Sequence, residues 1–400
     1  MRVRYITNLS KLDGLTEAER RRLEPVAERY VFRLNTYYHD LINWDDPNDP
    51  LRRLVIPTEH ELSDWGQLDA SHEADYTPVR GCQHKYTDTA LLLVNEVCGA
   101  YCRYCFRKRL FMNDNDDAAI DHSEGLAYIQ EHEEVTNVLL TGGDPLVLST
   151  RRLATIISDV AAVPHVRIIR IGSKIPAFNP FRILDDPTLL NLISETCEGG
   201  TQIYIMNHFD HPRELTREAR QAVRLLKQAG AMTVNQCPIV RGVNDRPQTF
   251  RALFRELSFI GCPQYYVFQG RPTAGNEPYE VPIVEGYRIF VEANRHVSGL
   301  AKRARFAMSH RTGKIEIVGI DDRHIYMRYH RAHRKEDYGR VVVALRDDHA
   351  FWLDQLTVLS GPQSAIEAAA GHRPQLLLPE PAEPDAASRH RKWSRQQREL

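Results

Sequence analysis

The sequence predicts an α/β protein: an open, partial (β/α)6 barrel, with an N-terminal helical extension and a small C-terminal β-rich segment. Three observations carry that expectation. From residue 86 onward, short apolar runs alternate with amphipathic, charge-rich stretches, the pattern of parallel strands joined by helical crossovers. The 85 residues before that point have a different texture, charged and turn-rich. Directly after the first apolar run stand three spaced cysteines, Cys98, Cys102 and Cys105, where a fold of this kind places its ligand-holding loops.

The elements follow in order. Thr16-Glu17-Ala18-Glu19 opens a charged helix with a capping-box signature at Thr16. Asp46-Pro47 and Asp49-Pro50 mark a turn-rich stretch over 43–57. Strands are expected at 90–95, 137–141, 166–171, 202–207, 232–238 and 264–269. Helices are expected between them at 122–131, 149–160, 186–196, 213–229 and 247–257, with a further one ending near 297. Beyond it, 314–318, 324–329 and 341–345 read as strands, the first two joined by a turn at Asp321-Asp322. The domain reading is therefore 1–85 extension, 86–300 barrel, 301–360 β-rich segment and 361–400 disordered tail, the last Pro/Ala/Glu-rich and then basic.

Composition narrows the class of function. With 52 Lys+Arg against 53 Asp+Glu, no global field recruits nucleic acid or an anionic membrane. No apolar run approaches the ~20 residues of a membrane span, and Met1-Arg2-Val3-Arg4-Tyr5 lacks the apolar core of a signal peptide. Seven cysteines, three of them in one loop, suit a reducing compartment better than a disulfide framework. The expectation is a cytoplasmic enzyme.

The run Cys98-Gly-Ala-Tyr-Cys102-Arg-Tyr-Cys105 offers three thiolates on one loop. Three thiolates hold three irons of a [4Fe-4S] cubane and leave the fourth open, whereas four cysteines close a cluster completely. A structural zinc site wants four ligands, in paired units, and His84 at this spacing would be an unusual fourth.

The segments Cys98 to Arg107, Thr141-Gly142-Gly143-Asp144-Pro145-Leu146, Arg170-Ile171-Gly172-Ser173, Asn207-His208-Phe209, Asn235-Gln236 and Gly242-Val243-Asn244-Asp245 occur in the order of the lysine 2,3-aminomutase family of radical S-adenosylmethionine (SAM) enzymes. The upstream Asp49-Pro50-Leu51-Arg52-Arg53-Leu54-Val55-Ile56-Pro57 also resembles that family. The resemblance implies a barrel of the radical SAM type, a [4Fe-4S] cluster on Cys98, Cys102 and Cys105, SAM at the open iron, and pyridoxal 5′-phosphate (PLP) carrying an amino acid. It implies migration of an amino group from C2 to C3, with reducing electrons from a donor such as flavodoxin or ferredoxin. Oligomeric state stays open.

The same resemblance assigns residues. Thr141, Gly142, Gly143 and Asp144 would approach SAM, with Ser173 lining its pocket. Arg107 would grip the substrate α-carboxylate, as an arginine fork can do bidentately. Lys85 stands where the family has an arginine for the PLP phosphate, and keeps the charge while losing the fork. His208 and Gln236 would lie around the PLP ring. Lys314, in His310-Arg311-Thr312-Gly313-Lys314, aligns with the PLP-bound lysine if one gap is allowed. Only one glycine of the family's four-glycine run remains there; Lys302, or no PLP at all, are the alternatives.

One departure bears on the substrate. Lysine-specific members use two aspartates for the distant ammonium, but Arg271 stands at the first position. The second falls near Ala307 or Met308. An arginine there repels an ammonium and attracts an anion, so an acidic or neutral polar amino acid is expected instead of lysine. A PLP-free radical SAM enzyme, and a lysine aminomutase serving translation-factor modification, are the competing readings. The C-terminal cysteines with which some members bind zinc are absent, Cys262 being the last.

Overall fold

The computed structural model describes residues 3–112 and 121–371. A two-stranded antiparallel ribbon joins β1 (Tyr5–Ile6) to β2 (Leu34–Asn35). The main sheet contains β3 (Cys82–Tyr86), β4 (Thr89–Asn95), β5 (Asn137–Gly142), β6 (Ile168–Ser173), β7 (Gln202–Asn207), β8 (Met232–Pro238) and β9 (Gln264–Phe268). It continues through β10 (Arg305–His310), β11 (Gly313–Ile320), β12 (His324–Ala332), β13 (Val341–Leu345) and β14 (Val358–Ser360). Strands lie in sheet in chain order. Pairing is parallel from β4 to β10 and antiparallel at both flanks, β3–β4 and β10 through β14. The chain is thus a mixed α/β protein with a parallel-rich sheet.

All six expected barrel strands are present, and Gln202–Asn207 and Met232–Pro238 have the expected bounds. The parallel set has a seventh member. β10, whose sequence Arg-Phe-Ala-Met-Ser-His lies in the segment read as C-terminal, pairs in parallel with β9. The Asp321 turn works as expected: its carboxylate accepts from the Arg323 and His324 amides at 2.7 and 2.6 Å. The tail reading needs correction at its start. Residues 363–371 form a helix whose Ala365 and Ala368 are buried, because small apolar residues there find a core to pack against. The remainder of the tail lies outside the described residues.

Apolar helix faces cover the strands. Leu153, Ile156, Ile157 and Val160 of helix Thr150–Ala161 pack with Val138, Leu140, Ile169 and Ile171. A second cluster builds around Phe250, Phe254, Phe306 and Tyr329. A third joins Leu51, Leu54 and Val55 of the first sixty residues to Ala100 and Tyr104 of the cysteine loop. Helix Glu17–Arg29 starts at a capping box in which the Thr16 hydroxyl accepts from the Glu19 amide at 3.2 Å. Among the described residues, no helix is long and apolar enough to cross a membrane.

Candidate active site

The cysteine loop leaves β4 with no strand or helix of its own to satisfy its backbone, and such polar groups need partners. The first sixty residues supply them. The Tyr101 amide donates to Arg33 O at 3.0 Å and the Arg103 amide to Leu54 O at 2.8 Å. Asn35 Nδ2 donates to Gly99 O at 3.0 Å. The fully buried Arg103 forks onto Glu61, with Nη2–Oε2 2.7 Å and Nε–Oε1 3.0 Å. Burial alone would raise the Glu61 carboxyl, but Arg103 and Lys108 hold it low. The N-terminal residues therefore shape the loop.

Cys98, Cys102 and Cys105 are free, partly exposed thiols. Burial raises the pKa of each, and for Cys98 the neighbouring Asp144, Cys105 and Cys102 raise it further. Three thiols that repel one another's charge need a cation to become thiolates together. Among the described residues, a grouping tight enough for one ion, with all ligand atoms within 4.8 Å, occurs at His84, His132 and Glu134 and not at the cysteines. Sulfurs sharing one zinc at ~2.3 Å each would lie within about 4 Å of one another.

The Gly-Gly segment braces this loop. A Cβ on Gly143 would stand 2.5 Å from Val97 O, and one on Gly142, at φ 110°, 2.5 Å from Asn95 O. These glycines let the loop backbone approach closely, with Gly143 N donating to Asn95 O at 2.6 Å and Asp144 N to Val97 O at 2.8 Å. The buried Asp144 carboxylate accepts from Ser173 Oγ (3.0 Å) and the amides of Leu146, Lys174 and Ile175 (3.0, 2.7 and 3.1 Å). Burial nonetheless pushes its pKa up to about 6. Asp144 and Ser173 hold the ends of β5 and β6 together beside Cys98.

Past β7, His208 Nε2 lies 3.0 Å from Tyr104 OH and 3.2 Å from Asp210 Oδ1. Lys174 Nζ lies 2.6 Å from Asp210 Oδ2 and 2.8 Å from Glu214 Oε1. Burial would lower the Lys174 pKa, but these carboxylates raise it.

Arg107 lies in a buried clamp. Its Nε and Nη2 bond to the two Glu73 oxygens at 3.2 and 3.0 Å, its Nη1 to Thr141 Oγ1 at 3.1 Å, and Nη2 also to Gln83 Oε1 at 3.3 Å. Arg109 Nη2 reaches the same Glu73 at 2.6 Å. Arg271 stops 3.8 Å from Glu73, with its guanidinium 3.7 Å from the centroid of Phe106. Its Nη1 is buried with no hydrogen-bond partner, and burial lowers its pKa to about 10. Ala307 and Met308, near which the second lysine-specific aspartate position is expected to fall, are both wholly buried on β10.

Lys314 is the second residue of β11, and its Nζ lies 4.1 Å from the Tyr266 ring centroid and 5.1 Å from that of Phe268. Tyr266 pairs in register with Gln236, which brings the β8 residue alongside. Burial, then Arg170, Arg331, Arg271 and Lys85, drive the Lys314 amine well below its ordinary pKa. Lys85 donates to His310 O. Burial and Arg271 lower its own pKa to about 7. Gly313 is the one glycine the approach demands, since a Cβ there would meet Arg331 O at 2.4 Å. An amine whose charge is disfavoured by burial and ringed by cations, with orphaned donors at Arg170 Nε and Arg271 Nη1, fits a polyanionic group bearing an electrophilic carbon, as PLP is.

Arg271 connects the two halves, stacked on the residue after Cys105 and electrostatically felt by Lys85 and Lys314. Sequence reasoning missed Glu73 and Arg109, which no local pattern marks. Arg170 and Arg331 were detectable in principle: each is a charge inside an otherwise strand-like run.

No protein-family model matches the chain. Among curated proteins, it is 57% identical over 359 residues to the "Putative L-lysine 2,3-aminomutase" of Aquifex aeolicus (strain VF5), covering 90% of this chain and 96% of that one. It is 34% identical over 301 residues to the L-lysine 2,3-aminomutase of Clostridium subterminale, covering 74% of this chain and 71% of the other. To the glutamate 2,3-aminomutase of Clostridioides difficile (strain 630) it is 33% identical over 303 residues, with 75% and 70% covered. An α/β enzyme of the isomerase class is thereby defined. The chain belongs to the lysine 2,3-aminomutase family, whose members here include amino-acid 2,3-aminomutases for lysine and for glutamate.

Proposed function

We propose that the protein is a radical SAM, PLP-dependent 2,3-aminomutase that converts an acidic amino acid, glutamate foremost, to its β-isomer. The observation that carries the substrate reading is Arg271: a buried guanidinium with an unpartnered Nη1, where a lysine side chain would need a carboxylate. In this reading the parallel strands form a partial barrel of the radical SAM type. The enzyme is cytoplasmic and takes electrons from a flavodoxin or ferredoxin.

When bound, the cluster with SAM would supply one-electron hydrogen abstraction, and PLP would supply a conjugated π system that holds the migrating nitrogen and shares the unpaired electron. Cys98, Cys102 and Cys105 would hold three irons and leave one position for SAM. Asp144, Ser173 and the Gly142-Gly143 turn keep the loop in shape beside it. Lys314 would present its nitrogen to the PLP carbonyl carbon, with burial first and then the surrounding cations favouring loss of its proton. Lys85, Arg170 and Arg331 place positive charge around that nitrogen, suited to a phosphate. Arg271 orients the anionic substrate against the wall formed by Phe106.

The test uses anaerobically reconstituted protein with PLP, SAM and a chemical reductant. Borohydride reduction followed by peptide mass mapping should place a pyridoxyl group on Lys314, and glutamate should be turned over faster than lysine. Absence of any lysine adduct would overturn PLP dependence. Robust β-lysine formation would overturn the acidic substrate.

A further inference from the structure

We propose that His84, His132 and Glu134 form a binding site for a divalent transition-metal ion, zinc foremost, which fastens β3 to the end of helix Ser123–Glu131. Its three residues belong neither to the cysteine loop nor to the group around Lys314.

Two imidazoles and a carboxylate are a donor set suited to zinc. One ligand atom from each of the three residues lies within 4.8 Å of the others. Donors around a tetrahedral zinc, at about 2.1 Å each, stand about 3.4 Å apart. Closing the set takes at most ~1.4 Å of movement, which the exposed Glu134 and the two half-buried rings allow.

The hydrogen bonds of the two rings carry the argument. His132 Nδ1 lies 2.7 Å from Tyr128 O, one turn back along the chain. His84 Nε2 lies 3.2 Å from Thr87 O. A carbonyl oxygen only accepts, so each of these nitrogens carries the ring proton. The opposite nitrogens, Nε2 of His132 and Nδ1 of His84, keep their lone pairs. A ring N–H held by a carbonyl is the usual support of a metal-bound histidine, because it fixes both the tautomer and the direction of the ring. His84 Nδ1 accepts from the Tyr128 hydroxyl at 2.9 Å, and that hydroxyl feels the charge of Glu134. The Tyr128 ring in turn stacks on His132, with centroids 3.9 Å apart. All three ligands thus converge on Tyr128, whose hydroxyl can turn from His84 to a water in the fourth metal position. The backbone behind them is tied, with His132 N donating to Ile129 O at 3.1 Å and Val135 N to His132 O at 2.9 Å.

β3 is the segment such an ion would steady. It is an edge strand of the main sheet, paired with β4. Its register breaks between Gln83 and Tyr86, so His84 and Lys85 fall at the irregularity. Main-chain bonds hold such a stretch of an edge strand weakly. An ion joining His84 to His132 and Glu134 would tie it to the helix end. The next residue, Lys85, donates to His310 O on β10, so the steadied strand also carries one of the cations near Lys314.

Zinc alone is the probe, titrated against a chromophoric chelator into protein whose cysteine loop has first been loaded with iron anaerobically. One zinc should bind, with only nitrogen and oxygen donors in its X-ray absorption spectrum. Glu134→Gln, at an exposed position that folding does not depend on, should weaken binding about tenfold, and His132→Gln about 100-fold. Amide hydrogen exchange at residues 83–86 should slow several-fold with zinc in the parent protein and not in His132→Gln. Sulfur in the zinc shell, or unchanged affinity in both variants, would overturn the site and leave an adventitious ion only. Zinc binding that leaves exchange at 83–86 unaltered would overturn the fastening of β3.

Discussion

The amine of Lys314 lies 4.1 Å from the centre of the Tyr266 ring, and no carboxylate pairs with it among the described residues. A lysine placed this way opposes folding, since burial and four nearby cations disfavour its charge. Lys314→Met should raise thermal stability by about 1–2 kcal/mol while abolishing turnover, a trade common at functional sites. Calorimetric unfolding beside an activity assay checks this, and loss of stability in the variant would count against an unpaired amine.

Lys85 makes a pH-dependent contribution of definite sign. Its folded pKa of about 7 lies below the unfolded value of about 10.4. Between those values the unfolded chain binds more protons, so the Lys85 contribution to stability rises with pH. Relative to Lys85→Met, the parent protein should gain about 3 kcal/mol on going from pH 7 to pH 9.5. Urea denaturation of both proteins at the two pH values measures it; a constant gap would mean that Lys85 keeps its proton.

The Lys174–Asp210–Glu214 group contributes with the same sign, but on the acid side. Burial would raise the Asp210 pKa, but Lys174 and His208 hold it far below the carboxylate range. Its contribution is present above the unfolded value of about 3.9 and is lost as pH falls through the folded one. Asp210→Asn leaves Lys174 with Glu214 alone and should cost about 3 kcal/mol at pH 7. It should also flatten the acid unfolding limb below about pH 4. Melting curves from pH 3 to 7 test both statements.

Gly143→Ala should act at a distance on the cysteines. The added methyl would meet Val97 O at 2.5 Å and Val97 N at 2.6 Å, both backbone atoms, so the loop entering Cys98 must move. Iron bound per chain after anaerobic reconstitution should drop several-fold, with a stability loss of about 2 kcal/mol. Full iron content in the variant would show that the loop tolerates displacement.

Much of the architecture could be read in the chain. Strands such as Gln202–Asn207 and helices such as Thr150–Ala161 carry local periodicity, which needs only neighbouring residues to be seen. β3 and β10 escaped because Cys-Gln-His-Lys-Tyr and Arg-Phe-Ala-Met-Ser-His are short and mixed in polarity. They are strands because sheet neighbours supply their hydrogen bonds, not because their residues alternate.

By itself the sequence determined the cysteine triplet, the strand-end loops that surround it and the family, and it set the expectation that Arg271 stands where lysine-specific relatives have an aspartate. These are matters of residue type and spacing. The tertiary structure alone decided that Glu73 pairs with Arg107, that the Gly142-Gly143 approach is to the Asn95–Val97 backbone, and that Lys314 sits among Lys85, Arg170, Arg271 and Arg331. Each joins segments distant in the chain, and burial sets the strength of each charge interaction. Neither the partner nor the dielectric is written in local pattern.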